Sequence, residues 1–387
     1  MASCKSIYDP QEDSTMLEKH VRQYAKGNVL DMGTGSGIQA IAAAQNPRVN
    51  SVLAADIQKG VIDYCRKNIT NKKIKFLQSD LFRNIKGKFD TIIFNPPYLP
   101  QELQLKDLTI EGGKKGYEVI EMFLDEVNTF LNPDGIILMV FSSLTKKEKV
   151  EELIRISLLD FEELEKTRIF FEDIYAYLIK KNDLLNQLEK KGIKNVKYLA
   201  KGHRGILFAG LYNNKKVAVK SKNPQSAAFG RIENEAKWLK LLNRRGIGPK
   251  LLFSEKDYFA YSYIDGDFIA DYIKKSNKGS IKIILKKIFS QMLALDMLKA
   301  DKEEMHHPFK HILISHGNPC LIDFERMHHS ENPKNVTQFC QFLISGSLGN
   351  ILKNKKINLN RNKIIRLAKI YKRNQNKKNF NKLIDEI

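Results

Sequence analysis

Between Gly27 and Ser142 one pattern recurs along the chain: a short apolar run, a turn, then residues that are apolar at helical spacing. GNVLDMG (27–33), SVLAADI (51–57), KIKFLQSDLF (73–82), FDTIIFNPPY (89–98) and GIILMVFS (135–142) each contain a strand-length run, and IQAIAAAQ (38–45) predicts a helix after the first. Strands separated by helices predict a mostly parallel sheet covered on both faces, with ligands at the carboxyl ends of the strands. The pattern changes after IKKNDLLNQ (179–187), a polar junction. KYLAKGHRGILFAGLYNNKKVAVKSK (197–222) then reads as strand, glycine turn, strand, turn, strand, and RIENEAKWLKLLNRRG (231–246) reads as a helix. Near the end, IIRLAKIYK (364–372) returns to helical spacing. We therefore expect three pieces, residues 1–182, 183–350 and a basic helical tail 351–387.

Charge sharpens this division. Residues 1–182 carry 25 Lys and Arg against 26 Asp and Glu, while the remainder carries 40 against 18. The tail alone has 12 basic residues and two acids, which suits phosphate backbones and suggests RNA or the ribosome as a partner. The same composition also fits a merely solvated face. The longest apolar run, GIILMVF (135–141), is too short to cross a bilayer, so no membrane association is expected. The start, MASCKSIYDPQEDS, lacks an apolar leader, and a cytoplasmic protein is the expectation. Cys4, Cys65, Cys320 and Cys340 have no paired spacing and read as reduced thiols.

Candidate chemistry gathers at the strand ends. DMGTGSG places Gly33, Gly35 and Gly37 after the first strand, where a backbone can approach a ligand closely. Asp56 ends the second strand, where a carboxylate can accept from both ribose hydroxyls. Asp80 and Leu81 end the third, where a side chain and backbone amides can bracket an adenine. Asp31 before the glycines and the G-x-G-x-G spacing lean away from NAD and towards S-adenosylmethionine. The fourth strand ends in Asn95-Pro96-Pro97-Tyr98. A planar NH2 group is a poor nucleophile, so transfer of a methyl to it depends on positioning. The Asn95 carboxamide oxygen and the Pro96 carbonyl can accept its two N–H bonds, Pro97 stiffens the turn, and Tyr98 offers an aromatic wall.

These motifs together resemble the HemK-like, NPPY-containing class I methyltransferases, in the eukaryotic and archaeal branch that methylates the GGQ-loop glutamine of peptide-chain release factors. Tyr8-Asp9-Pro10-Gln11-Glu12-Asp13-Ser14, LDMGTGSG, Asp56 with Asp80, NPPY and EGGKKGYEVIE (111–121) carry the resemblance, which covers about residues 6–181. It implies a seven-stranded Rossmann-like domain and S-adenosylmethionine as cofactor. It also implies that Ser14 and Asp31 hold the cofactor's methionine end. A small zinc-binding activator protein is a further implied partner. The alternative is a nucleic-acid methyltransferase acting on adenine N6 or guanine N2, which would need a basic surface that residues 1–182 lack and that the basic second half, as an RNA-binding, catalytically inactive kinase-like domain, would supply.

The second half is similar to RIO-like protein kinases of archaea, over about residues 196–342, and so implies an α+β fold that binds Mg-ATP. Gly202 and Gly205 flank His203-Arg204 in a phosphate-covering turn, and VAVK places Lys220 at the phosphates. Glu235, with Glu233 as neighbour, would pair with Lys220. Backbone groups around Tyr263 would bind adenine, and Asp323 of IDF would hold the metal. The chain departs from kinases at EEMHHPFKHILI (303–314), where His306 and His311 occupy the positions of the aspartate base and the metal-binding asparagine. Glu303, Glu304 or His306 is left to support any phosphotransfer.

Overall fold

The computed structural model describes residues 10–98, 113–169, 171–202, 204–223 and 231–387. Cys4, Tyr8, Asp9, Glu111, Gly112 and His203 lie outside the described residues. Two compact units are present: residues 1–198 with Leu211–Asn213, and Leu199–Gly210 with Asn214–Ile387.

The first unit is built on a seven-stranded sheet in the order β3-β2-β1-β4-β5-β7-β6. The strands are β1 (Gly27–Met32), β2 (Val49–Asp56), β3 (Ile74–Gln78), β4 (Phe89–Phe94), β5 (Leu131–Ser142), β6 (Leu159–Ile169) and β7 (Glu172–Lys181). The first five run parallel, and β7 inserts antiparallel between β5 and β6. Helices α1 (Glu12–Tyr24), α2 (Ile38–Gln45), α3 (Lys59–Asn68), α4 (Glu118–Phe130) and α5 (Lys147–Ile156) complete the alternation.

Both faces are buried, as a parallel sheet requires. Successive strand residues alternate between two cores: Ile137, Met139 and Phe141 join Phe94 and Phe123 of α4, while Leu138 and Val140 join Leu17 and Val21 of α1. Such strands read as continuous apolar runs because neither side of the pleat meets water. The parallel register aligns Met32 with Ala55 and Phe94, and Asp56 with Gln78, so the loops after β1 to β4 leave from one edge. The order reverses between β1 and β4, the crevice in which open sheets bind ligands.

The boundary expected at residue 182 differs from the observed division at Tyr198. The polar junction is a helix start, not a linker: the Asn182 side chain accepts from Leu185 N at 2.9 Å and caps α6 (Asp183–Lys190). Leu185 and Leu188 are buried, and Glu189 holds the buried Lys181 ammonium at 2.7 Å. The Lys181–Glu189 ion pair ties α6 to β7 of the first unit.

A five-stranded sheet in the order β11-β12-β10-β9-β8 follows in the chain, with Ile193–Tyr198 of β8 and Leu211–Tyr212 of β9 assigned to the first unit and the rest to the second. Its strands are β8 (Ile193–Lys201), β9 (Gly205–Tyr212), β10 (Lys215–Lys222), β11 (Leu251–Ser254) and β12 (Tyr258–Ser262), with α7 (Arg231–Asn243) between β10 and β11. A helical body follows around Lys278–Met297. The tail does not stand apart from it. Ile364, Leu367 and Tyr371 of the helix Arg361–Arg373 and Phe380 of the next helix enter the same core as Ile288, Phe289 and Phe339. Arg366, Lys369, Lys372 and Arg373 stay on the exposed side, so the charge marks the outer face of a core helix.

A buried carboxylate fixes this arrangement. Asp296 accepts from Asn335 N at 3.1 Å, Asn335 Nδ2 at 2.8 Å and Tyr371 Oη at 2.9 Å. Tyr371→Phe removes one of these donors from a buried acceptor and is expected to cost about 1–3 kcal/mol, read from the urea midpoint of the second unit's transition. Truncation after residue 350 is expected to unfold that unit by circular dichroism, whereas a separable tail would leave its signal intact.

Candidate functional site

In the first unit the loops after β1 to β4 and the start of α1 enclose a cavity of about 770 Å³. Ser14, Gly33, Gly35, Asp56, Asp80, Leu81 and Asn95 to Tyr98 all line it. Asp31 and Gly37, expected to touch a cofactor, are not among its lining residues. Asp31 is buried beneath the loop and accepts from Thr34 Oγ1 at 2.6 Å. Gly37 caps α2 at φ 84°, and a Cβ there would lie 2.4 Å from Ile69 Cδ1. Both residues shape the loop from behind, because the strand end that carries Asp31 points it into the core.

Asp56 joins two loops. Its Oδ2 accepts from Gly35 N at 3.1 Å and its Oδ1 from Gln58 N at 2.9 Å. Burial raises its pKa above the ordinary carboxylate value. Burial acts more strongly on Asp31 and pushes its pKa up to about 7. Asp80 is half exposed and lies 3.9 Å from Arg83. Ile57 and Met122, each about half exposed, give the cavity apolar walls. An apolar residue directly after the strand-ending acid was the available signal for Ile57.

The NPPY turn meets the start of α1. Asn95 Nδ2 donates to Asp13 Oδ2 at 3.1 Å and to Ser14 Oγ at 3.3 Å, and Tyr98 Oη donates to the same Asp13 oxygen at 3.0 Å. An ionised carboxylate only accepts, so the amide nitrogen must face it. The Asn95 Oδ1 is thereby turned away. It is buried and has no hydrogen-bond partner among the described residues. Asp13 entered the sequence reading only as part of the prefix 8–14, and its hold on Asn95 went unforeseen because 82 residues separate the two.

In the second unit Lys220, Glu235 and Asp323 come together. Lys220 Nζ lies 2.6 Å from Glu235 Oε2 and 3.0 Å from Asp323 Oδ1. Glu235, and not Glu233, is therefore the partner, and its Oε1 also accepts from Phe324 N at 3.1 Å. Burial opposes the Lys220 charge, but the two carboxylates outweigh it and raise the pKa. Asp323 is lowered in spite of burial, because Lys220 and Lys302 face it. Its backbone lies in the left-handed region at φ 62°, which a non-glycine residue rarely adopts.

Gly202 N donates to Gly205 O at 2.8 Å and closes the tight turn, and Arg204 reaches Glu325 at 2.7 Å. The Tyr263 N–H donates to Lys216 O at 3.2 Å, so of the backbone groups around Tyr263 this one is engaged within the fold. His306 is exposed and leans on Glu303 O at 3.2 Å, and Glu303 lies 3.5 Å from His328; both face away from Asp323. Glu304 and His311 do converge on it: His311 lies 3.3 Å from Glu304 and 3.9 Å from Asp323. Burial, aided by Lys302, lowers the His311 pKa to about 4. Lys302 itself was missed. It is buried, donates to the Asp323 carbonyl and sits 5.1 Å over the Phe324 ring, and burial lowers its pKa to about 8. Nothing in the sequence separates it from the other lysines. A second cavity, of about 730 Å³, lies between α7 and β11 and contains none of these residues.

The methyltransferase small domain model matches residues 6–171. The chain is 36% identical over 155 residues to a protein named as an N5-glutamine methyltransferase of Methanocaldococcus jannaschii, covering 38% of this chain and 78% of that one. It is 44% identical over 77 residues to a release factor glutamine methyltransferase of Streptococcus pneumoniae, covering 19% of this chain and 28% of that one. Among solved structures it is similar to the E. cuniculi Mtq2–Trm112 complex described as methylating the eRF1 termination factor. That match has 23% identity and a TM-score of 0.38, over 46% of this chain and 99% of that one.

The Asp31 carboxyl supports a pH prediction. Its folded pKa of about 7 exceeds the ordinary 3.8, so folding favours the protonated form. Stability from this group is full below about pH 4, declines as pH rises towards 7 and is lost above it. Asp31→Asn mimics the protonated form. It is expected to raise the first unit's melting temperature at pH 8, by up to about 4 kcal/mol in stability, and by less at pH 5. Scanning calorimetry at the two pH values measures the difference.

Proposed function

We propose, from the premise that the chain belongs to the protein N5-glutamine methyltransferase family, that its first unit methylates the GGQ-loop glutamine of a peptide-chain release factor. The observation that carries this reading is the buried Asn95 Oδ1, which has no hydrogen-bond partner among the described residues while Asp13 holds the amide nitrogen. An acceptor held in that way suits one N–H of an incoming carboxamide, and the Pro96 carbonyl suits the other. With both hydrogens held, the amide plane is set and the nitrogen lone pair can develop towards a methyl group.

S-adenosylmethionine supplies that methyl on an electrophilic sulfonium. Bound in the cavity, it would offer that methyl to the amide nitrogen that Asn95 and the Pro96 carbonyl hold in plane. The cavity fits such a donor: Asp56 has oxygens for ribose hydroxyls with Gly35 beside it, Ile57 an apolar wall for a base, and Gly33 and Ser14 line the end nearest Asn95. Asp80 and Leu81 flank the base position. Asp31 and Gly37 act by holding the loop. A separate zinc-binding activator belongs to this reading as the partner that the family resemblance implies.

One labelling experiment tests it. With methyl-labelled cofactor the protein is expected to label a release factor and not its variant lacking the GGQ glutamine. Asn95→Ala should reduce turnover about 10²–10³-fold, the scale of a lost oxyanion donor, with cofactor affinity nearly unchanged, while Asp56→Ala weakens affinity. Label recovered on adenine or guanine would install the nucleic-acid alternative instead.

A second reading concerns the second unit, where Lys220, Glu235 and Asp323 form a partly buried ion triad. We propose that this unit is kinase-like and binds Mg-ATP, with Lys220 on the phosphates and the Gly202–Gly205 turn over them; Glu304 rather than His306 remains for any phosphotransfer. The exposed basic face of the tail is the seat for RNA or ribosome contact in the same reading. Millimolar Mg-ATP is expected to raise this unit's melting temperature, as a ligand selective for the folded state must. Lys220→Ala should abolish the shift, and an unshifted wild-type protein would leave the triad a structural ion cluster.

A further inference from the structure

We propose that the second unit binds single-stranded nucleic acid in the cavity between the end of α7 and β11, a place that neither the Mg-ATP reading nor the basic tail uses. The cavity measures about 730 Å³. Lys240 reaches it from the last turn of α7, Arg244 from the residue after that helix, and Lys250 from the residue before β11. Among the described residues no Asp or Glu lines it. All three cations are exposed, and among the described residues none has an ion-pair partner.

The turn that carries these charges is fixed by one carboxamide. Asn243 Nδ2 donates to Ile247 O at 3.1 Å and to Pro249 O at 2.9 Å, and its Oδ1 accepts from Leu251 N at 2.7 Å. The end of α7 is thereby tied to the start of β11. Gly248 seats the turn on the core: at φ 77°, a Cβ there would lie 2.8 Å from Leu239 Cδ1 and 3.0 Å from the Phe324 ring. Beyond the cations the lining is apolar. Leu251, Leu252 and Phe253 are only partly buried. The pairing of β11 with β12 slips between Leu251 and Phe253, so Leu252 is the extra residue of a bulge. β11 is also the outermost strand of its sheet, which leaves this strip beside the cations uncovered by another strand.

Like charges four positions apart at a helix end repel, and a polyanion relieves the repulsion. A simple anion would meet the cations and leave the apolar strip bare. A single strand brings phosphates for Lys240, Arg244 and Lys250 and base faces for Leu252 and Phe253. A duplex keeps its bases stacked inside and offers this strip nothing. The excess of 40 basic over 18 acidic residues beyond position 182 attracts such a strand from a distance.

The test uses the full-length protein without nucleotide and a short oligouridylate carrying thiouridine, with an oligodeoxythymidylate of equal length to tell RNA from DNA. Ultraviolet cross-linking and peptide mapping are expected to place an adduct within residues 240–254. Joint Lys240→Ala, Arg244→Ala and Lys250→Ala should weaken binding at least about tenfold and reduce the salt slope by about two, the share of three phosphate contacts on a single strand. Joint Lys240→Arg, Arg244→Lys and Lys250→Arg should preserve both, which separates lost charge from lost folding. Phe253→Leu should weaken the oligonucleotide about fivefold or more and leave binding of inorganic tripolyphosphate unchanged. Lys220→Ala should alter neither, so failure here is distinguishable from failure of Mg-ATP to bind. The proposal is overturned if neither strand binds the wild-type protein, if the adduct is confined to the tail, or if the triple alanine variant keeps its affinity and slope. Displacement of the strand by an acidic peptide of equal charge would also overturn it.

Discussion

A parallel sheet covered on both faces leaves its strand ends as the place where the chain can present polar groups to a ligand. Along β1, β4 and β5 the central apolar side chains are committed to one of two apolar cores. Functional groups must then come from the last strand residue or the loop beyond it. Asp56, Leu81 and Asn95 stand at such points because parallel register brings the carboxyl ends of β1 to β4 to one edge. The cavity is thus a consequence of how the first unit hides its apolar surface.

The two units treat buried polar atoms in opposite ways. In the first, Asp13 satisfies the nitrogen of Asn95 and leaves its oxygen without a donor. An unmet buried acceptor costs free energy, about 1–3 kcal/mol, that a ligand's N–H can return. In the second, Lys220 meets Glu235 and Asp323 at once, and Lys302 adds a second cation on the far side of Asp323. Burying such ions is repaid only when nearly every lone pair and proton has a partner. Removing one member therefore strands the others, and a lost ion pair there has the character of a lost core contact.

Much of the first unit was legible because its signals are local. Apolar runs marked the strands, and the acids after them marked the edge. The misassignments have a common cause: a strand end tells which residue is last but not which way its side chain turns. Asp31 faces inward onto Thr34, and Gly37 serves Ile69, although both belong to the glycine loop. The junction at residue 182 looked like a linker because a capping asparagine and an ion-paired lysine are polar, whatever they bury beneath them. The tail misled for the same reason. A helix with basic residues outside and Ile364, Leu367 and Tyr371 inside has a composition that reports only its outer face. In the second unit Lys220, Glu235 and Asp323 were found by order along the chain, whereas Lys302 and the company of Glu304 and His311 depend on how strands Ile312–Ser315 and Asn318–Leu321 pair.

The contact between Asp13 and Asn95 gives a physical reason for two distant motifs to occur in one chain. A carboxamide is nearly symmetric in shape, so packing alone does not decide which end is oxygen. Hydrogen-bond chemistry decides it, and only an acceptor without donors fixes the choice. Asp13 meets that need, and through Tyr98 it also anchors the far side of the proline turn. It can do so because α1 begins at Glu12, which brings the first turn of that helix over the end of β4. The E-D-S start of the helix and the N-P-P-Y end of the strand are then one device, with Ser14 contributing its hydroxyl to the same amide. Asparagine in place of Asp13 could donate as well as accept, and the orientation of Asn95 would no longer be determined.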